Sequence, residues 1–248
     1  MENVLVITGG SRGIGAATAL LGAAQGYKVA INFRENENAA KAIVDKIVGG
    51  GGEAVAVKGD IAEEKDVAFL FEEVDRKLGR VSALVNNAGI LHLQSPVVGM
   101  DKQRLRRIFD VNVIGPFLCS IEAIKRMSTK NGGKGGSIVN VSSNAVRQGS
   151  PFEYVDYAAS KGALDVFTAG LSREVAGEGI RVNSVRPGTI YTDIHASGGE
   201  PGRVERVKAN IPLGRGGEPE EIAKAILWLI SSDASYCTGS VLDVTGGR

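Results

Sequence analysis

Val4-Leu-Val-Ile-Thr-Gly-Gly-Ser-Arg-Gly-Ile-Gly15 decides how the rest of the chain is read. Four aliphatic residues in a row, with Val4, Val6 and Ile7 β-branched, read as a strand buried on both faces. The glycine-rich turn after them opens a helix predicted over residues 14–25. Glycines let a backbone approach a phosphate closely, and a helix N-terminus offers free N–H groups and the positive end of its dipole. Gly9, Gly13 and Gly15 depart from the common G-x-G-x-x-G spacing. The flanking strand and helix therefore carry the argument, rather than the glycines alone.

Outward from this stretch, strand and helix patterns alternate. Strands are predicted over residues 27–33, 54–57, 83–85, 137–141, 180–185 and 241–244. Helices are predicted over 38–48, 63–78, 101–127, 157–175 and 218–231, with Gly115-Pro116 marking a kink in the long third one. Residues 189–213 have little core pattern, contain Ser197-Gly-Gly-Glu-Pro-Gly202, and read as a mobile lid. No repeat and no linker divides the chain. The expectation is one domain over residues 1–248: an α/β, Rossmann-type doubly wound parallel β-sheet with helices on both faces.

Composition narrows the function classes. The chain has 248 residues, 43% hydrophobic and 23% charged, which are globular values. A net charge of +1 gives no footprint for nucleic acid or a membrane surface. Cys119 and Cys237 have no metal-ligand spacing, and Cys119 in an apolar helix reads as a small core residue. His92 and His195 are far apart in predicted loops, so no metal is expected. No apolar run reaches membrane-spanning length. The strand beginning at Val4 leaves no room for a signal peptide, so a cytoplasmic protein is expected.

The chemistry concentrates at strand ends and in Tyr157-Ala-Ala-Ser-Lys161. A tyrosine and a lysine four apart share a helix face. A phenol with a pKa of about 10 is a poor base near neutrality, and a nearby ammonium lowers that pKa. The pair suits moving a proton on or off an oxygen. After the second strand the chain has Phe33 and then Arg34, with Arg12 in the glycine loop and no carboxylate at the strand end. Two guanidinium groups suit a 2′-phosphate, favouring NADP(H) over NAD(H). Asp60 is either an N-cap with Glu63 three residues on, or a ligand-facing residue, or both. Asn86-Asn-Ala-Gly89 suits a tight turn beside a ligand. Asn112, a polar amide in an apolar stretch, is either a structural bridge or part of a site. Ser142-Ser143 offers a hydroxyl at a strand end.

This ordered set resembles the short-chain dehydrogenase/reductase superfamily over essentially the whole chain. The motifs are Thr8-Gly-x-x-x-Gly-x-Gly15, Asn86-Asn-Ala-Gly89, Asn112, Ser143, Tyr157-x-x-x-Lys161 and Pro187-Gly188. Within the superfamily it is similar to glucose 1-dehydrogenase-like and 3-oxoacyl-carrier-protein-reductase-like oxidoreductases. The resemblance implies Tyr157 as general acid/base and Lys161 as the group lowering its pKa and holding the nicotinamide ribose. It implies Ser143, with Ser142 as a rival, orienting the substrate oxygen, and Asn112 holding a water of a proton relay. Gly9, Ser11, Arg12 and Ile14 would cradle phosphates and ribose, alongside Gly13 and Gly15. Asp60 and Ile61 would flank the adenine, and Asn86, Ala88 and Gly89 would line the adenosine side. Pro187, Gly188, Ile190 and Thr192 would border the nicotinamide. The implied activity is NADP(H)-dependent interconversion of a carbonyl and an alcohol on a small molecule, in a homotetramer. The alternatives are an NAD(H)-dependent alcohol or sugar dehydrogenase and a non-catalytic dinucleotide-binding regulator.

Overall fold

The computed structural model describes residues 3–248. Among them, seven strands form one parallel sheet: β1 (Val4–Ile7), β2 (Lys28–Phe33), β3 (Ala54–Lys58), β4 (Val81–Asn86), β5 (Gly136–Val141), β6 (Ile180–Pro187) and β7 (Val241–Val244). Their order is β3-β2-β1-β4-β5-β6-β7. Helices α1 (Gly13–Ala24), α2 (Glu37–Gly49), α3 (Glu64–Lys77), α4 (Lys102–Phe109), α5 (Gly115–Met127), α6 (Ala145–Gln148), α7 (Val155–Val175), α8 (Ile194–Ser197), α9 (Arg203–Val207) and α10 (Pro219–Ile230) surround it.

The alternation within β1 sorts its side chains between two cores. Leu5 and Ile7 pack with Ala19 of α1, Ile43 of α2 and Ile226 of α10. Val4 and Val6 face the other way, onto Phe71 of α3, Cys119 and Ala123 of α5 and Leu171 of α7. All four β1 residues are fully buried. Each contributes about 1.5–3 kcal/mol by leaving water, which is why this strand reads as a continuous apolar run. Because β1 has β2 on one side and β4 on the other, the connections diverge there and leave a crevice beyond the C-terminal strand ends.

Three expectations change. The helix predicted over 101–127 runs without a break from Lys102 to Met127, but α4 and α5 meet in a π-type widening at Asp110–Ile114 rather than in a kink at Gly115-Pro116. The wide turn precedes the Gly115-Pro116 pair. Gly115 itself is required by contact, since a Cβ there would lie 2.6 Å from Ile61 Cδ1. Asp60 is not a helix N-cap: α3 begins at Glu64, and the Asp60 carboxylate instead accepts from Ala62 N at 3.1 Å. Residues 189–213 do contribute to the core, burying Ile190, Val204, Val207 and Ile211. Their hydrophobic residues are too widely spaced for a pattern, because α8 and α9 are only four and five residues long. No helix among the described residues is long and apolar enough to cross a membrane.

Candidate active site

The crevice opens into a cavity of about 420 Å³. Its first wall is stapled across the β1–β4 boundary. The Thr8 hydroxyl accepts from Asn87 N and Ala88 N, each at 3.0 Å, and Asn87 Nδ2 donates to Thr8 O at 2.9 Å and Gly9 O at 3.1 Å. Gly9 has φ +64°, and a Cβ on it would meet Ala88 Cα at 3.0 Å. The turn therefore needs glycine for conformation and for space. Helix α1 begins at Gly13 with no side-chain cap and no acidic residue in its first turn. Its free N–H groups and dipole are left to an anionic ligand.

Gly9, Ser11, Arg12, Gly13 and Ile14 line this wall, followed by Arg34, Asp60 and Ile61, then Ala88 and Gly89. Arg12 is exposed and makes no ion pair among the described residues. Arg34 pairs with Glu35 at 2.5 Å and stands 3.8 Å from Asp60. Asp60 also takes Arg107 at 2.7 Å. Burial pushes the Asp60 carboxyl up, but the Ala62 N–H, Arg107 and Arg34 outweigh it and hold the group below its ordinary range.

Two predicted cofactor residues are not on the cavity wall. Gly15 lies behind it: a Cβ there would be 2.5 Å from Gly9 O and 2.6 Å from Asn87 Nδ2. Its smallness lets the glycine turn sit on α1. Asn86 is buried in the sheet, donating to Asn140 Oδ1 at 2.9 Å and to the Ser120 hydroxyl at 3.1 Å. Asn140 donates onward to the Thr168 hydroxyl at 2.8 Å. Asn86 is thus a cross-strand bridge, and Asn87 is the amide that lines the cavity. The last residue of a strand points to one face and the next to the other, so neighbouring asparagines divide the tasks.

At the opposite end Ser143, Tyr157 and Lys161 converge on the same cavity. The Ser143 hydroxyl accepts from Ala145 N at 3.1 Å and hydrogen-bonds the Tyr157 phenol. Ser142, the rival, also lines the cavity, but it is buried and its hydroxyl proton is already donated to Lys161 O at 3.1 Å. Lys161 Nζ donates to Val141 O at 2.7 Å and lies 5.7 Å from the centre of the Tyr157 ring. Gly89 makes room for it, since a Cβ there would come within 3.3 Å of Nζ. Burial pushes the Tyr157 phenol above its ordinary value, and the Ser143 bond pulls the other way. The expected lowering by Lys161 is not what governs Tyr157 in this state. Burial instead acts on Lys161 itself, depressing it to about 8 against the opposing pull of Asp165.

Asn112 sits in the wide turn, fully buried and off the cavity wall. Its side chain accepts from Ile90 N at 2.9 Å and donates to Ile90 O at 3.1 Å and to the Ser160 hydroxyl at 3.1 Å. All three contacts are structural: they tie the loop after β4 to α7. Pro187, Gly188, Ile190 and Thr192 line the remaining wall. Gly188 is held against β7, where a Cβ would meet Thr245 Cα at 2.8 Å.

Several lining residues carry no motif and were not foreseen: Asn32, Arg107, Tyr154, His195 and Arg203. His195 Nε2 bonds Ile190 O at 2.9 Å, so that nitrogen carries the proton, and Nδ1 has no partner. Burial lowers its pKa and favours the neutral ring. Above it, Arg203 pairs with Glu153 at 2.5 Å and Glu200 at 2.9 Å, and Arg206 joins the same two carboxylates. Tyr154 closes this side by donating to Gly198 O at 3.0 Å. The bonds that join Tyr154 and Glu153 to the lid span 44–53 residues, which hides the cluster from any local pattern. Among the described residues no cluster of His, Cys, Asp or Glu could hold a metal.

A family model described as enoyl-(acyl carrier protein) reductase matches residues 9–248. The chain belongs to the short-chain dehydrogenase/reductase superfamily. Other members share its whole length. It is 57% identical over 245 residues to the Escherichia coli K12 protein named uncharacterized oxidoreductase YgfF, covering 99% of both chains. A 3-ketoacyl-(acyl-carrier-protein) reductase from Brucella melitensis, solved with NADH, superposes with a TM-score of 0.91 at 33% identity, covering 99% of this chain and 98% of that one. A blue fluorescent protein from a metagenomic library, solved with NADPH, gives a TM-score of 0.90 at 35% identity, covering 99% and 97%. This chain is thus a member of an oxidoreductase superfamily.

Proposed function

We propose that the protein is an NADP(H)-dependent oxidoreductase that interconverts a carbonyl and an alcohol on a small molecule. The observation that carries this is the convergence of Ser143, Tyr157 and Lys161 on one end of a cavity whose other end is an uncapped helix N-terminus. The cradle fits a dinucleotide: Gly9, Ser11, Arg12, Gly13 and Ile14 would hold phosphates, Ile61 and Asp60 the adenine, and Lys161 the ribose beside the nicotinamide. When bound, the cofactor supplies or accepts the hydride.

The protein's own part is proton handling and orientation. Ser143, its oxygen already accepting from Ala145 N, keeps its proton for the substrate oxygen. Tyr157, kept protonated by burial, donates to that oxygen in the reductive direction. Lys161 adds positive charge beside the phenol and favours its ionisation as the proton leaves. Asn112 serves by fixing Ile90 and Ser160, and so the loop and helix between which the nicotinamide would lie. Residues 189–213 act as the lid that selects the substrate.

For the adenosine end, Arg12 and Arg34 favour the 2′-phosphate, and Glu35 is the group that competes for Arg34. We further propose a single domain and a cytoplasmic homotetramer. Free thiols at Cys119 and Cys237 suit a reducing compartment, and exposed Ile114, Phe117, Ile121 and Val166 leave apolar helix faces to cover.

The test is to titrate NADPH and NADH separately, then follow NADPH consumption over a panel of aldehydes, ketones and 3-oxoacyl thioesters. Tight NADPH binding with turnover of some carbonyl supports the reading. Cofactor binding without hydride transfer to any of them favours a regulator, and a preference for NADH moves the search to alcohols and sugars.

A further inference from the structure

Lys161 is a buried cation without a carboxylate at hydrogen-bond distance among the described residues. Its one recorded partner is the neutral Val141 carbonyl at 2.7 Å. Burying an ammonium is costly unless opposite charge lies close. The groups around it can be taken element by element. On its own helix, Tyr157 lies one turn before and Asp165 one turn after. Asp156 is farther back, and both its oxygens are taken by Arg104 of α4 at 2.6 and 3.2 Å. The end of β5 presents Val141, Ser142 and Ser143, the loop after β4 presents Gly89, and the wide turn presents Asn112; none of these is charged. From β6 comes Arg186, and its guanidinium is already on Asp165 at 2.9 Å.

Among the described residues taken above, Asp165 is the carboxylate one helix turn from Lys161 on the same face that Arg104 does not claim. It is itself 8% exposed, and its two oxygens are held separately, one by the Ser184 hydroxyl at 3.0 Å and one by Arg186 Nε. Arg186 stands 3.6 Å from Asp243, and Asp243 meets Arg147 at 2.6 Å. Charges thus alternate along a chain of contacts to the surface, Asp165, Arg186, Asp243 and Arg147, with Lys161 one helix turn before its first member. The ladder ends on α6, four residues past Ser143, so it also ties the serine loop to the lysine helix through β6 and β7.

We propose that Asp165 is a positioning residue for Lys161, its carboxylate favouring the charged ammonium one helix turn away while Ser184 and Arg186 hold that carboxylate in place. The depression of Lys161 to about 8 by burial, with Asp165 as the opposing influence, agrees with this. The consequence for catalysis rests on the proposed function, but the charge state belongs to the chain alone and can be measured without substrate.

The experiment is an NMR pH titration of protein labelled with ¹⁵N at lysine Nζ, the Lys161 signal being assigned by its loss in Lys161→Met. Asp165→Asn keeps the size of the side chain and an oxygen for Ser184 while removing the charge. Its Lys161 midpoint should fall by about one pH unit or more, and Asp165→Glu should restore it. Arg186→Gln should move the midpoint the opposite way, upward, because Asp165 is then less neutralised. Opposite signs from two partners of one ion pair are not expected of a merely structural role. A Lys161 midpoint that stays put in folded Asp165→Asn overturns the proposal. If that variant does not fold, a midpoint in Arg186→Gln that is unchanged or lowered overturns it instead. Full turnover in Tyr157→Phe would sink the proposed function and leave these midpoints standing.

Discussion

The two ends of the cleft are built from different materials. At the β1–β2–β3 end the ligand-facing groups are backbone N–H groups, glycines and exposed arginines, set by hydrogen bonds among main-chain atoms and Thr8 and Asn87. At the β5–α7 end they are a hydroxyl, a phenol and an ammonium whose properties come from burial. In the proposed reading the first end recognises by shape and a fixed positive field, which need no titrating group, and the second handles a proton because burial moves its proton affinities. A variant at the first end should change what binds; one at the second should change what happens afterwards.

The largest expected effect tests the second end. Tyr157→Phe should lower NADPH-dependent carbonyl reduction by about 10²–10⁴-fold with NADPH affinity unchanged, as measured by steady-state rates beside a binding titration. A parallel loss of affinity would erase the division between the two ends.

Next come residues behind the cavity rather than on it. Asn86→Ala strands the Asn140 and Ser120 partners and should cost roughly 1–3 kcal/mol. Gly15→Ala drives a Cβ into Gly9 O and should cost roughly 1–3 kcal/mol as overpacking. Denaturant midpoints measure both. In Asn86→Ala the folded protein should bind NADPH as before; weakened binding at full stability would return Asn86 to the cofactor wall.

A smaller change is expected at the open end. Arg34→Ala removes a charge-assisted contact of roughly 1.5 kcal/mol, or about tenfold in NADPH affinity. NADH affinity should not change, and stability should stay within about 0.5 kcal/mol because the side chain is half exposed. Equal losses for both cofactors would mean that Arg34 does not see the 2′-phosphate.

Separate from these is a pH dependence of stability. Lys161 is depressed from 10.5 to about 8 in the folded state. Between those values the unfolded chain binds more protons at this site, so its contribution to stability rises with pH across that window. Below about pH 8 both states are protonated and the burial penalty is fully present. Tyr157 works oppositely above pH 10, where the folded state keeps a proton that the unfolded chain has lost. Denaturant midpoints from pH 7 to 10 should therefore rise more steeply in wild type than in Lys161→Met. Matching slopes would place Lys161 in contact with water.

Much of this was legible because local rules apply. The β1 run and the glycine turn are a strand buried on both faces followed by a helix start, and both announce themselves within twelve residues. Tyr157 and Lys161 share a face because a helix repeats every 3.6 residues. What was not legible involves choices between neighbours. Asn86 and Asn87 look equivalent until the sheet gives one to the interior. Ser142 and Ser143 look equivalent until the Lys161 carbonyl claims the first hydroxyl. The helical run over 101–127 was legible in its apolar pattern, whereas the π-type widening at Asp110–Ile114, from which Asn112 reaches Ile90, is not encoded in local spacing.

The sequence by itself determined the parallel α/β sheet, the glycine-rich start of α1 and the tyrosine–lysine pair, since apolar period, glycine chemistry and helix geometry act over a few residues. Only the tertiary structure decided which amide faces the cavity, that the Ser142 hydroxyl is spent on Lys161 O, that Arg107, His195 and Arg203 join the cavity walls, and that Asp165 heads a ladder of charges one helix turn from Lys161. Those outcomes depend on burial and on partners tens of residues away, and both come into being only when the strands assemble.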